Sequence, residues 1–418
     1  MFRKILAAFA AILVTAAISY GASIPLLTNT SGCSESSQLL SCINQLIRSI
    51  NTNITSNSVA SVSTPRNYLD NGGMAVTQRL LSSADTICAV NAAPTSLTFA
   101  ADRWACQRNI AVADGHFQVI TAAPAPPTGF VASTKIWRAA NVLTQPVCLQ
   151  QAIPLSDSTQ LASKQVMLSA YVQPLGAGAA LNNVTLQIIT GTGAVEQGLL
   201  VAPTASPALT PAWTGIATNG ATAFATTNGA WNRYNTAPVA LPAATTQVGV
   251  EICYTPNNTN QAAGATDGVA ITGVQLEVVS PGATTPGPFE FRRFQDELRA
   301  AQRYYWQLAD NQAATFRIAG FCQGTITATA AECVLFNPVR MRAAPTVVVL
   351  TATSFGVRTG AATATPCTAL AIIGSTSTLD TAGALTCTSA AGSTLLAAEG
   401  FTYSNTGVAN SITVSADM

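Results

Sequence analysis

The hydrophobic residues of the chain follow two different periods. Between Ser34 and Ile54 they recur at alternating spacings of three and four, which is the period of a helix with one apolar seam. From residue 67 to about residue 290, and again from about residue 315, short stretches alternate apolar with small or polar residues. That alternation is typical of strands with one face on a core. The pattern therefore predicts a mainly β chain with a helical N-terminal region.

The N-terminal helical seam has a heptad form. Its a positions are Leu40, Ile47 and Ile54, and its d positions are Ile43 and Ile50. Isoleucine at d, with Ile or Leu at a, favours three- or four-stranded coiled coils over dimers. We therefore expect a homo-oligomer, in the first instance a trimer. The alternative is a short amphipathic helix that packs on its own domain.

The first 22 residues are hydrophobic after a basic start. Arg3 and Lys4 precede an apolar run from Ile5 to Tyr20, and small residues follow at 21–23. This is the form of a secretory signal peptide. The alternative is an alanine-rich anchor helix buried in a larger assembly.

The remaining patterns give the order of the domains. Predicted strands include Gln118–Ala122, Thr134–Ala139, Val147–Ala152, Gln165–Val172, Val184–Ile189, Gln247–Tyr254, Val269–Val279 and Pro345–Leu350. Many short strands separated by turn residues indicate a sandwich or jelly roll. The predicted organisation is a hydrophobic segment over 1–22, a helical stalk or anchor with a linker over 23–66, a jelly-roll β-sandwich over 67–292, a connecting helix over 293–310, and a C-terminal β domain over 311–418. The connecting helix carries an apolar stripe of Phe294, Leu298, Ala301 and Tyr305.

Composition and charge exclude several kinds of function. Only 9% of the 418 residues are charged, against about 25% in ordinary domains, and the net charge is +1. The basic residues are scattered, whereas a protein that binds nucleic acid needs a concentrated basic face. The single histidine, His116, is predicted in a turn, and the 18 acidic residues are thinly spread. We therefore predict a protein that is not an enzyme and does not bind nucleic acid.

The cysteines are even in number, which is compatible with complete pairing. There are ten: Cys33, Cys42, Cys88, Cys106, Cys148, Cys253, Cys322, Cys333, Cys367 and Cys387. Without a CxxC pair, and with one histidine, the sequence predicts no metal site. The neighbours 33/42, 88/106, 322/333 and 367/387 are spaced to close local loops as disulfides, and buried free thiols are the alternative. Disulfides would indicate an oxidising setting.

An ordered set of short motifs resembles a domain of tailed-phage virion proteins. Segment 67–74 (NYLDNGGM) with Gln78-Arg79 is similar to the family's opening "NxLxNGGF…QR", and 101–104 (ADRW) is similar to its "ADRW". The later matches, in the same order as in the family, are 231–234 (WNRY), 241–242 (LP), 249–251 (GVE), 274–277 (VQLE), 285–293 (TPGPFEFRR), 297–298 (EL) and 302–305 (QRYY). The resemblance covers roughly residues 67–306.

The resemblance implies a jelly roll akin to carbohydrate-binding modules, in an oligomeric tail fibre that is attached near the tail or portal and contacts host-surface glycans. A head fibre or capsid decoration protein is the alternative within the virion, and a secreted bacterial adhesin or lectin is the alternative outside it. Sugar sites on such folds use exposed aromatic rings with polar neighbours. The candidates are Trp213, expected to be exposed in a proline-rich loop, and the strand residues Tyr171 and Trp137. The resemblance implies no cofactor beyond a structural calcium ion, for which Asp70, Asp102 or Glu277 would supply oxygens.

Overall fold

The structure is a computed structural model. It describes residues 67–79, 86–90, 98–108, 115–138, 146–175, 183–194, 213–226, 229–255, 268–308, 317–325, 329–349, 355–359, 365–372, 381–390, 398–403 and 412–416. The predicted N-terminal helix, its heptad residues and the Cys33/Cys42 pair lie outside the described residues. Among the helices that are described, none is long and apolar enough to cross a membrane.

Residues 86–278 contribute two sheets of seven described strands each. In spatial order the first sheet contains β1 (Thr86–Ile87), β5 (Gly115–Ile120), β6 (Ser133–Arg138), β14 (Gly268–Val278), β8 (Gln165–Pro174) and β11 (Asn232–Asn235), with β12 (Val239–Ala240) also paired to β8. The second contains β10 (Ala217–Ala225), β9 (Asn183–Gly191), β13 (Gln247–Thr255), β7 (Val147–Ala152), β4 (Ala105–Arg108) and β2 (Ala89–Val90), with β3 (Thr98–Phe99) also paired to β4. All described pairings are antiparallel except that of β2 with β4.

The two sheets share one hydrophobic core because their strands alternate inward and outward residues. In β8 the inward residues Val166, Leu168, Ala170 and Val172 are fully buried members of that core. Inward residues of β13 in the opposite sheet, such as Val250 and Ile252, belong to the same cluster. Successive side chains of a strand point to opposite faces, so the intervening residues lie on the outer faces. The fold is therefore a β-sandwich, as the alternating pattern predicts.

A second β unit follows a short helix. Besides α1 (Leu155–Gln160), the described helix is α2 (Phe294–Gln302). The third sheet contains β15 (Tyr305–Leu308), β24 (Ile412–Ser415) and β18 (Thr346–Val349). The fourth contains β20 (Thr365–Pro366), β19 (Phe355–Thr359), β23 (Ala398–Tyr403), β16 (Arg317–Gly324), β17 (Ala330–Phe336), β22 (Thr381–Thr388) and β21 (Ala369–Ile372). The third and fourth sheets share a core that includes Trp306, Leu335, Phe355 and Val414.

Two local predictions need correction here. The connecting helix ends at Gln302, and Tyr305 lies in β15, where it pairs with Ser415, instead of extending the helical stripe. Phe294, the first residue of that stripe, is exposed. His116 lies inside β5 opposite Trp137, and not in a turn before the strand. In both places backbone pairing with a distant strand overrides the local pattern.

Every described cysteine is in a disulfide. The predicted local pairs Cys88–Cys106, Cys322–Cys333 and Cys367–Cys387 are present. The fourth disulfide, Cys148–Cys253, joins β7 to β13 across 105 residues of chain. Spacing alone did not predict this pair because the two residues become neighbours only through sheet register.

The motifs that carry the resemblance meet in one partly buried polar network, called here the junction. Within its N-terminal part, the Trp104 indole donates to the Asn71 carbonyl at 3.0 Å. The Asn71 amide donates to the carbonyls of Val76 and Asp102. The Gln78 amide donates to the Asp102 carboxylate at 2.8 Å and to the Tyr305 carbonyl at 3.0 Å. The opening motif is thus tied both to ADRW and to the start of the third sheet.

The junction is completed by residues of α2 and of the segment that precedes it. The backbone N–H groups of Asn67 and Asn71 donate to the carboxylates of Glu290 and Glu297 at 2.6 and 2.5 Å. The Arg79 guanidinium lies between the rings of Phe99 and Tyr305, at 4.1 and 3.7 Å from their centroids. Burial raises the pKa of Glu297, against the lowering effect of the Asn71 hydrogen bond and of Arg292. These contacts connect the sandwich to the C-terminal sheets.

Candidate ligand-binding surface

The outer face of the first sheet carries a row of polar side chains at one level. Gln118 of β5 is opposite Lys135 of β6, Lys135 is opposite Ala270 of β14, and Ala270 is opposite Gln173 of β8. Neighbouring strands lie about 4.8 Å apart, so this polar row extends about 14 Å across four strands. The small Ala270 forms its floor, while the three longer side chains are half-buried.

Gln173 offers a specific opening for a ligand in this row. Its amide nitrogen donates to the carbonyl of Gly229 at 3.3 Å. Its side-chain oxygen is buried and has no hydrogen-bond partner among the described residues. A buried acceptor without a donor is costly, so an outward turn of this side chain that let a ligand hydroxyl donate to the oxygen would be favoured.

Two of the three predicted aromatic residues flank the polar row. Trp137 lies one level away on β6, opposite Gly268, and Tyr171 lies on the other side on β8, opposite Thr272. The four-residue offset along β14 places these two levels about 13 Å apart along the strands. The surface therefore has an aromatic ring on each side and the amide and ammonium groups of the polar row between them.

Both rings are already packed by neighbours. Trp137 is only 3% exposed; the Lys135 ammonium lies 4.1 Å from its ring centroid and the His116 ring 5.5 Å away. Tyr171 is half-buried, with the Phe130 ring at 5.5 Å and the Arg233 guanidinium at 5.6 Å. At the adjacent bulge of β14, Gly273 has a φ of +59°, and a Cβ there would lie 2.7 Å from both Phe130 and Tyr171. The lack of a side chain at Gly273 allows these two rings to approach.

The structure corrects the prediction made for Trp213. It was expected to be an exposed loop residue, but it is 3% exposed and packs with Ile189 and the half-buried Ile216 on the outer side of the second sheet. A cluster of apolar neighbours, which the proline-rich sequence does not reveal, covers its ring. Trp213 therefore belongs to a different surface from Trp137 and Tyr171.

The carboxylates considered for calcium are engaged by protein donors. Asp70 pairs with Arg103 at 3.2 Å and with Arg292 at 3.7 Å. Asp102 accepts from Gln78 and lies 3.8 Å from Arg79, and Glu277 accepts from Gln275 and from the Gly287 backbone. Calcium requires about six to eight oxygen ligands. Because arginine, amide and backbone N–H groups already bind these oxygens, the three carboxylates do not fit a calcium site.

Glu251 is a buried carboxyl group that the sequence patterns did not single out. It is fully buried on the outer side of β13, where the amides of Gln150 and Gln187 donate to it. Burial raises its pKa to about 8, against the lowering effect of the Gln150 hydrogen bond. Cys148 and Cys253 complete a compact cluster with Glu251, but their sulfur atoms are bonded to each other and are not thiolate ligands.

Comparison with known proteins gives similarity at the level of structure. No family model and no curated protein sequence matches the chain. A family 61 carbohydrate-binding module solved with β-1,4-galactotriose is similar over 51% of this chain and 99% of its own, at 12% identity and a TM-score of 0.28. The family 22 module of Clostridium thermocellum Xyn10B is similar over 44% of this chain and 89% of its own, at 10% identity and a TM-score of 0.26.

A phage protein is also among the similar structures. The enzymatically active domain of bacteriophage CBA120 tailspike protein 4 is matched over 51% of this chain but 22% of its own, at 12% identity and a TM-score of 0.27. All of these TM-scores are low, so no functional assignment rests on them.

Proposed function

We propose that this chain is a non-enzymatic structural protein of a tailed-phage particle: an oligomeric, jelly-roll-based tail fibre, attached at the tail or portal region, that contributes to binding host-surface glycans. The observation that carries the proposal is the junction. Residues of the opening motif (67–79), ADRW (101–104), the segment FEFR (289–292) and QRYY (302–305) are far apart in sequence, yet the opening motif forms hydrogen bonds with each of the other three. Such mutual dependence supports treating the resemblance as one inherited unit instead of several chance matches.

The glycan-binding part of the proposal rests on the polar row. Sugar hydroxyls need donors and acceptors at fixed positions, and Gln118, Lys135 and Gln173 supply both kinds on rigid strands. The Gln173 oxygen is the acceptor that a sugar hydroxyl would satisfy once the side chain turns outward. Trp137 and Tyr171 then serve as packed walls of this surface and not as freely exposed stacking platforms.

The disulfides favour an oxidising compartment. Four are present in the described residues, and such bonds persist on particles and secreted proteins outside the reducing cytosol. An extracellular virion meets this condition. The same observation also favours a secreted adhesin or lectin as the second candidate.

A glycan array tests the binding surface. We expect Gln173→Ala and Lys135→Ala to lower the wild-type signal by about fivefold or more, because each removes a hydrogen-bonding group worth about 1 kcal/mol or more. Gln323→Ala, at an exposed position of β16 in the fourth sheet, is the matched control. Equal signals from all four proteins would remove the polar row from the proposal.

Immunogold labelling of purified particles tests the location. We expect label at the tail, whereas label on the head would support a head fibre or capsid decoration protein. Absence of label from particles, combined with an intact mass lacking the first 20 or so residues, would contradict the virion role and support the secreted candidate.

A further inference from the structure

Four arginines line one cavity between the end of α2 and the segment that precedes β18. The cavity has a volume of about 410 Å³, and its described lining is Arg299, Ala300, Arg303, Val339, Arg340, Met341 and Arg342. This is a concentration of charge in a chain with only 19 basic residues among 418. No carboxylate is among the described residues that line it.

The backbone fixes the two segments against each other. The Arg342 N–H donates to the Arg303 carbonyl at 2.9 Å, and the Ala416 N–H donates to the Tyr304 carbonyl at 2.7 Å. Met341, between Arg340 and Arg342, is 2% exposed and belongs to the C-terminal core. The backbone positions that carry the four guanidinium groups are therefore fixed, while the side chains of Arg299, Arg303 and Arg340 are exposed and free to adjust to a ligand.

The helix end accounts for only part of this cluster. Arg299 and Arg303 lie at the C-terminal end of α2, where cations interact favourably with the helix dipole. Arg340 and Arg342 lie outside the helix, so the dipole gives no reason for them. Arg299, Arg303 and Arg340 have no ion-pair partner in the part of the chain that the structure describes. Like charges around one concavity repel each other, and an anion would offset that repulsion.

We propose that this cavity binds a phosphate- or sulfate-type anionic group carried by a saccharide. Guanidinium groups present forked donors that match the oxygens of such groups. The cavity is open to solvent, and its volume is sufficient for one charged sugar unit to enter from the surface. Ala300, Val339 and Met341 supply apolar surface, but the described lining has no aromatic ring on which a nucleobase would stack. The saccharide part rests on the proposed function, whereas the anion site stands on the arginines alone.

Calorimetric titration of the full chain with inorganic pyrophosphate tests the anion site. We expect saturable binding that weakens about tenfold or more in the double variant Arg299→Gln/Arg340→Gln, because charge-assisted hydrogen bonds contribute about 1.5–3 kcal/mol each. The matched control is Arg293→Gln/Arg358→Gln, which removes the same charge at two exposed positions outside the cavity. Absence of saturable binding, or equal weakening in both double variants, would overturn the site.

Polymer probes test the saccharide source. We expect dextran sulfate to bind and to compete with pyrophosphate, and unmodified dextran to do neither. A single-stranded oligonucleotide that competes better than dextran sulfate would overturn the saccharide assignment. Binding of pyrophosphate by a chain that gives no signal on a glycan array would contradict the proposed function and leave the anion site intact.

Discussion

At the scale of single residues, burial decides which side chains are available for chemistry. Trp213 and Trp137 are aromatic residues in plausible positions for sugar stacking, but each is 3% exposed. Glu251 shows the reverse case, because a charged residue type in a strand became a fully buried group held by two glutamine amides. Neither outcome follows from residue type, since both depend on what the folded chain places above the strand.

Replacing Glu251 with Gln is expected to remove a pH dependence of stability. The pKa of Glu251 in the folded protein, about 8, lies above its ordinary value of 4.5, so the folded state holds this proton more tightly than the unfolded state. The stability that results is fully present below about pH 4.5 and is lost as the pH rises through about 8. The free energy of unfolding of the wild type should therefore fall across this window by up to about 5 kcal/mol relative to Glu251→Gln.

Urea unfolding of both proteins at several pH values between about 5 and 8.5 measures this difference. Glu332→Gln, at an exposed position of β17, is the control and should keep the wild-type slope. Parallel pH profiles for the wild type and Glu251→Gln would contradict the assignment of a raised pKa to this carboxyl group.

At the scale of elements, local pattern and long-range pairing contribute in different places. The strand predicted at Val147–Ala152 has those bounds in the structure. The strand predicted at Gln165–Val172 begins at Gln165 and continues two residues further, to Pro174. One face of each strand lies on the shared core, which is the arrangement that strand alternation indicates. Tyr305 fits a helical stripe equally well by spacing, but its backbone pairs with β24. A spacing rule cannot anticipate a partner more than 100 residues away.

Two disulfides of different span should contribute unequally to stability. Cys148–Cys253 closes a loop of 105 residues, and Cys322–Cys333 closes one of 11. If cross-linking acts mainly by restricting the unfolded chain, replacing the first pair by serine should cost about 5 kcal/mol and the second about 3 kcal/mol. Thermal and urea unfolding of the two double variants would measure these costs. Equal losses, or a larger loss for Cys322–Cys333, would contradict this account.

At the scale of the whole molecule, the junction couples two β units through one polar network. Arg79 packs against the rings of Phe99 and Tyr305, and Glu297 of α2 accepts from the backbone of Asn71. The motifs that resemble a phage virion domain therefore hold the sandwich and the C-terminal sheets together at their boundary. Their chemistry maintains an arrangement of surfaces, consistent with the proposed role in a particle.

Ile47→Asp is expected to lower the oligomeric mass of the full chain. A charge at an a position of the predicted heptad seam would be desolvated between helices, so association should weaken from a trimer towards a monomer. Light scattering coupled to size exclusion measures the mass directly. Asn51→Asp, outside the a and d positions, is the control. An unchanged mass for Ile47→Asp would contradict the coiled-coil prediction.

The sequence by itself determined the features that depend on neighbours along the chain. Strand period, the mainly β class and three local disulfides all follow from spacing, because alternation and short loops are local properties. Only the tertiary structure decided which side chains meet. The polar row combines β5, β6, β14 and β8 through sheet register, and the arginine cavity combines two segments about 40 residues apart through one backbone hydrogen bond. Register and burial are properties of the assembled sheets, and no single segment carries them.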